Sequence, residues 1–150
     1  MFKNWETIWR CVKNENLNNI CTCIILYMYS GIQTMICLKP FNKGKMMSKI
    51  IEKKGAWEEN IVNSVIKAMN AYPSAVFLDV GANIGMYTVM IAAMKRNVIA
   101  VDADSKNLAY IRQSLDMAKT ADYVELIYNA IRLLLETTQI YLKLIMSMVQ

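Results

Sequence analysis

The chain has 150 residues, 55% of them apolar and 19% charged, with a net charge of +5 and no histidine. That length accommodates one ordinary domain and excludes two. The apolar content excludes a disordered chain, and only two prolines and five glycines leave little room for linkers.

Residues 1–19 are polar and lack a clear period, whereas 20–38 are mostly apolar and are followed by Lys39. Two readings fit the apolar stretch. As one helix it just reaches across a bilayer, a signal-anchor with Lys3, Arg10 and Lys13 on the cytosolic side and the membrane as partner. As two strands joined at Ser30-Gly31 it fits its own Ile, Tyr, Thr and Cys content. Thr22, Ser30, Gly31, Gln33 and Thr34 interrupt the run and favour the strands. A cleaved signal peptide fits less well, because the apolar stretch starts late.

Cys11, Cys21, Cys23 and Cys37 all fall in the first quarter of the chain. Cys-x-Cys is neither a zinc nor a thioredoxin spacing, and without histidine no metal site is expected. Free, partly buried thiols are the expectation, weakly favouring a reducing, cytoplasmic compartment.

Charge is unevenly spread: residues 1–75 hold ten Lys/Arg against five Asp/Glu, and residues 76–150 hold seven of each. Lys39, Lys43, Lys45, Lys49, Lys53 and Lys54 crowd into one stretch. Such a patch can attract phosphate, nucleic acid or an acidic membrane. No aromatic or arginine interleaving accompanies it, so a solvated face is expected and no nucleic-acid partner.

Next, Ile61, Val62, Val65, Ile66 and Met69 share one stripe at helical spacing, which predicts an amphipathic helix over 58–71. Glu58 and Glu59 in its first turn suit the positive end of the helix dipole. Tyr72-Pro73-Ser74 stops it. The continuous apolar run over 75–80 predicts a parallel strand covered on both faces. A helix follows over 84–95, then a strand over 97–101. Ser105 is placed as the cap of a helix carrying Leu108, Ile111, Leu115 and Ala118, and a third strand over 122–128 follows. Strand–helix–strand–helix–strand specifies a right-handed parallel α/β unit. Beyond Ala130 the signal fades, with a short helix over 131–135 and a weak strand over 139–144.

The functional content is concentrated in Phe77-Leu78-Asp79-Val80-Gly81-Ala82-Asn83-Ile84-Gly85-Met86-Tyr87-Thr88 and Val98-Ile99-Ala100-Val101-Asp102. A strand entering a helix must turn sharply at Gly81 to Gly85, and missing Cβ atoms let a ligand approach the backbone. The helix start offers unpaired amides. The Gly-x-Gly-x-x-Gly fingerprint is absent, since Asn83 and Met86 stand where glycines would be, and no Gly-Lys-Ser/Thr ends the turn as in a P-loop. The pattern is Asp-x-Gly-x-Asn-x-Gly. An acid two residues before the first glycine repels pyrophosphate and suits an ammonium group, which points to S-adenosylmethionine. Asp102, closing the next strand, lies at the distance at which a strand-end carboxylate reaches ribose hydroxyls.

Residues 48–130 resemble the FkbM-type methyltransferases, a branch of the class I S-adenosylmethionine-dependent enzymes. Besides the two stretches above, the resemblance is carried by Ser48-Lys49-Ile50-Ile51, Gly55-Ala56-Trp57-Glu58, Ala103-Asp104 and Val124-Glu125-Leu126-Ile127-Tyr128-Asn129-Ala130. It implies a Rossmann-like parallel sheet of the class I methyltransferase type, with residues 1–47 as a short β/α lead-in and 48–150 as a partial catalytic domain. It also implies cofactor-binding roles. Asp79 would face the methionine ammonium, and Gly81, Ala82, Asn83 and Gly85 would line the methionine and ribose. Asp102 would take both ribose hydroxyls, with Ala103 near the adenine, Asn129 and Ala130 near the base, and Glu58 reaching in from the lead-in helix. Methyl transfer to oxygen of a small-molecule or glycan acceptor is the implied activity; no catalytic residue is assigned.

The family continues with further strands, one ending in Lys-x-Asp-x-Glu-Gly, and this chain lacks that segment. The sheet is therefore expected to be incomplete, the acceptor side largely missing, and the apolar edge over 131–149 open to self-association. A truncated, non-catalytic cofactor-binding remnant is the rival to an active enzyme, and a membrane-anchored protein carrying this domain is the third reading.

Overall fold

The computed structural model describes residues 22–27, 31, 33–39, 48, 50–51, 58–130, 134–136 and 139–141. Expectations for 1–19, Cys11, Cys21, Gly55-Ala56-Trp57 and five of the six clustered lysines lie outside them.

The apolar stretch is a hairpin. Strands β1 (Thr22–Tyr27) and β2 (Gln33–Leu38) pair antiparallel, with Gly31 between them in the left-handed region at φ 77°. This excludes a single spanning helix over 20–38, and no helix among the described residues is long and apolar enough to cross a membrane. The expectation of free thiols is wrong for two of the four cysteines. Cys23 and Cys37 face each other in the ladder, fully buried, and are joined as a disulfide. Sequence spacing could not show this, because their pairing depends on the strand register.

Helix α1 (Glu59–Ala71) buries Val62 and Met69, half-buries Val65 and Ile66, and leaves Ile61 half exposed, much as its stripe predicts. Strands β3 (Phe77–Val80), β4 (Val98–Asp102) and β5 (Val124–Tyr128) form a parallel sheet in the order β3-β4-β5. Helix α2 (Met86–Ala93) joins the first two, and α3 (Ser105–Ala118) with a 3-10 turn (Ala121–Tyr123) joins the last two. The protein is thus a mixed α/β fold built on a three-stranded parallel sheet. Several boundaries differ from expectation: β3 starts at Phe77, α2 is shorter at both ends than 84–95, and β4 runs from Val98 to Asp102. Asp104, not Ser105, caps α3 by accepting from the Lys106 amide, and residues 121–123 form a turn before β5 instead of its first residues.

The hairpin lies on the helices. β2 packs against α3 and α2, which in turn contact the sheet, so the order is sheet, helix pair, hairpin. This is why α2 is apolar nearly all round: Met86, Val89, Met90, Ile91 and Ala92 are buried between two layers. Polar groups at the helix–hairpin seam are paired. The Cys37 amide donates to Ser114 Oγ at 2.9 Å, whose hydroxyl donates to the Tyr110 carbonyl at 2.7 Å. The Thr34 hydroxyl donates to the Val89 carbonyl at 3.3 Å.

On β3, Asp79 is buried whereas Leu78 and Val80 stay 43% and 53% exposed. The apolar run over 75–80 predicts cover on both faces; among the described residues only one face is covered. Likewise the helix expected over 131–135 is replaced at Leu134–Glu136 by strand β6, which pairs antiparallel with β7 (Gln139–Tyr141).

Candidate functional site

Parallel strands present all their C-terminal ends on one edge: Asp79 of β3 pairs with Ala100, two residues before Asp102 at the end of β4, and Asn129 follows the end of β5. The Asn129 amide donates to the Asp102 carbonyl at 3.1 Å. Between β3 and α2 the chain turns with Gly81, Asn83 and Gly85 all at positive φ, 75°, 53° and 85°.

The two glycines serve different ends. At Gly81 a Cβ would meet nothing within 4 Å, so the backbone there lies open to an approaching group. At Gly85 a Cβ would fall 2.7 Å from Ile111 Cγ1, so that glycine lets α2 pack on α3. Gly85 is buried and its amide donates to the Ala82 carbonyl at 2.8 Å.

Three amides of the turn are engaged within the fold. Those of Gly81 and Ala82 donate to the Val101 carbonyl at 2.8 and 3.1 Å, and that of Asn83 to Asp102 Oδ2 at 2.7 Å. The turn curls back onto the end of β4, and these three donors are spent there. What the turn offers outward is the Gly81 backbone face and the exposed Asn83 side chain; Ala82 is buried.

Asp102 is 8% exposed and held by three donors: the Asn83 amide on Oδ2, and the Asp104 amide at 2.8 Å and Asn107 Nδ2 at 2.9 Å on Oδ1. A carboxylate offers about four lone-pair positions. One hydroxyl can therefore be accepted directly, and a second requires the Asn83 amide to yield. Asn107 Oδ1 beside it is buried without a partner.

Asp79 is 7% exposed, and the Thr88 hydroxyl donates to its Oδ2 at 2.6 Å. Burial raises its pKa above the ordinary carboxylate value; the Thr88 hydroxyl and amide pull the other way, and the Asp102 charge adds to the rise. A buried acid beside a second acid gains most from a ligand that brings positive charge. Glu58 is exposed and caps α1 in the left-handed region at φ 51°, a conformation costing a residue with a Cβ about 1–2 kcal/mol. Its carboxylate makes no helix cap and instead accepts from the Tyr87 hydroxyl at 2.8 Å. Ala103, Asn129 and Ala130 are exposed around the rim.

Sequence reasoning missed the residues that hold the acids: Tyr87, Thr88, Asp104 and Asn107. Tyr87 and Thr88 stand in the glycine-turn stretch itself, and Asn107 lies one turn into the helix after Asp102. Their polarity in otherwise apolar or capping positions was the available signal. Compared with protein-family models, curated proteins and solved structures, the chain finds no significant match.

Proposed function

We propose that these strand ends and the glycine turn bind S-adenosylmethionine and that the chain is related to FkbM-type O-methyltransferases. The observation that carries the reading is the placement of Asp79 and Asp102 at the C-terminal ends of adjacent parallel strands, on either side of a glycine turn. The donor set fits: the strand ends present carboxylate acceptors to a ligand that brings an ammonium group and ribose hydroxyls. When bound, the cofactor supplies a methyl group on a sulfonium centre. Asp79 would receive the ammonium group, its charge offsetting the cost of burial. Asp102 would accept a ribose hydroxyl, orienting the nucleoside across the strand ends, with Gly81 giving close approach. Ala103, Asn129 and Ala130 would border the base.

Calorimetry tests this. Asp102→Asn keeps the size of the side chain and removes the charge-assisted acceptor, so binding should weaken by about 1–3 kcal/mol, roughly five- to 150-fold. Equal affinity in the variant would end the ribose role. A second reading, binding without turnover, is favoured by one observation: among the described residues the outer edge of β3 is unpaired and its Leu78–Val80 face uncovered. Methyl transfer needs an acceptor held in line with the sulfonium methyl, and no described element stands on that side to hold one. Cofactor binding with no turnover against a panel of hydroxyl acceptors supports this reading; turnover refutes it.

A further inference from the structure

The hairpin and the acid that closes β4 are gripped by the same helix. On α3, Asn107, Ile111 and Ser114 are all buried and share one stripe at helical spacing. Asn107 Nδ2 donates to Asp102 Oδ1 at 2.9 Å, and Ile111 fills the space beside Gly85 that a Cβ would need. One turn further on, Ser114 Oγ accepts from the Cys37 amide at 2.9 Å, and the Cys37 sulfur lies 3.8 Å from Met117 Sδ. From Asn107 to Met117 the helix covers roughly 15 Å. One continuous element therefore runs from Asp102 to the hairpin.

Cys37 is where the hairpin is fastened. Its amide bonds to α3, its sulfur lies against α3, and the same sulfur is joined to Cys23 on the facing strand. A two-stranded hairpin is marginal without covalent or tertiary support. Here the bridge spans a sequence separation of 14, and a loop of that size is held closed about 30- to 1,000-fold more firmly when cross-linked. Both cysteines are fully buried, so a thiol in solution reaches the bridge only when the hairpin lifts off the helices.

We infer that the hairpin is a redox-dependent clamp: with the Cys23–Cys37 bridge closed it holds α3 where Asn107 grips Asp102 and Ile111 packs on Gly85, and with the bridge open that grip loosens. Opening takes two electrons and two protons from a dithiol, which ends as its own cyclic disulfide and leaves Cys23 and Cys37 as thiols. Hairpin and strand end share one packed helix, so a single docked-to-undocked equilibrium biases both. The clamp acts whichever ligand the strand ends take, and its test needs none.

Amide hydrogen exchange, read by NMR, compares the full chain before and after treatment with dithiothreitol. Cys11→Ser and Cys21→Ser are included so that only the bridged pair reacts. Alkylation in denaturant without reductant should label neither remaining cysteine; labelling of both overturns the bridge. After reduction the Cys37 amide should exchange about 30- to 1,000-fold faster. The Asn83 amide, which donates to Asp102 Oδ2, should exchange roughly tenfold faster. The Phe77 amide, bonded to the Asn97 carbonyl at the far end of the sheet, should be unchanged. Ser114→Ala keeps the bridge and removes its tie to α3, so it should shrink the redox difference at Asn83. Acceleration at Cys37 alone overturns the clamp, as does a difference at Asn83 that Ser114→Ala leaves intact. If Phe77 accelerates as much as Asn83, the bridge is a staple of the whole fold and the clamp is refuted.

Discussion

Gly85→Ala should be markedly more destabilising than Gly81→Ala, although both sit in one turn at similar positive φ, 85° and 75°. Each substitution forces a Cβ into the left-handed region, costing about 1–2 kcal/mol, partly offset by about 0.4–1 kcal/mol from a less flexible unfolded chain. For Gly81 nothing further is added, since its Cβ would meet open space. For Gly85 the new methyl falls 2.7 Å from Ile111 Cγ1 and 3.3 Å from both Cδ1 and Cγ2. Ile111 is fully buried between α2 and its neighbours, so it has no room to retreat. Overpacking of this kind costs about 1–3 kcal/mol. The net expectation is about 2–4 kcal/mol for Gly85→Ala and about 1 kcal/mol for Gly81→Ala.

Urea unfolding with linear extrapolation measures both. Ile111→Ala removes all three crowded carbons, so Gly85→Ala should cost less in that background, a coupling that a double-mutant cycle reads directly. Ligand binding should show the opposite ranking, with Gly81→Ala the more damaging because its methyl occupies the open face of the turn. Equal destabilisation by the two alanines, or no coupling to Ile111, would refute the packing role assigned to Gly85.

Arg96→Ala should cost about 2–3 kcal/mol, read as a loss in thermal midpoint of roughly 4–12 °C. The reason is that one guanidinium donates to three carbonyls at and just beyond the end of α1: Met69 at 2.6 Å, Tyr72 at 2.8 Å and Ala75 at 3.0 Å. Arg96→Lys should restore only part, because an ammonium cannot span all three. Asp79→Asn should stabilise the protein at pH 7 while abolishing ligand binding. Burial raises the native pKa of Asp79, so between the ordinary value of 3.8 and the raised one the native state holds a proton the unfolded chain has lost. The contribution of Asp79 is fully present below that window and is lost as pH rises through it. The gain from Asp79→Asn should therefore shrink as pH falls toward 4, measured by urea midpoints across the range; a gain independent of pH refutes the burial account.

Much of the fold was legible because its elements are decided locally. The apolar run ending at Val80, the glycines that follow it and the stripe of Ile111 and Leu115 state a strand, a turn and a helix through short-range period and backbone sterics. The parallel pairing followed from their order, and the interruption at Ser30-Gly31 separated two strands from one membrane span. The positions of Asp79 and Asp102 at the ends of apolar runs were readable for the same reason.

Tertiary structure alone decided what depends on residues distant in sequence. The Cys23–Cys37 disulfide requires a strand register that spacing does not encode. The division of labour between Gly81 and Gly85 depends on Ile111, a residue of the next helix. The amides of Gly81, Ala82 and Asn83 are spent on Val101 and Asp102 because the chain folds back onto β4, a pairing invisible along the sequence. Local sterics and periodicity therefore set which elements exist and where they turn, while packing set which donors, faces and carboxylates remain for a ligand.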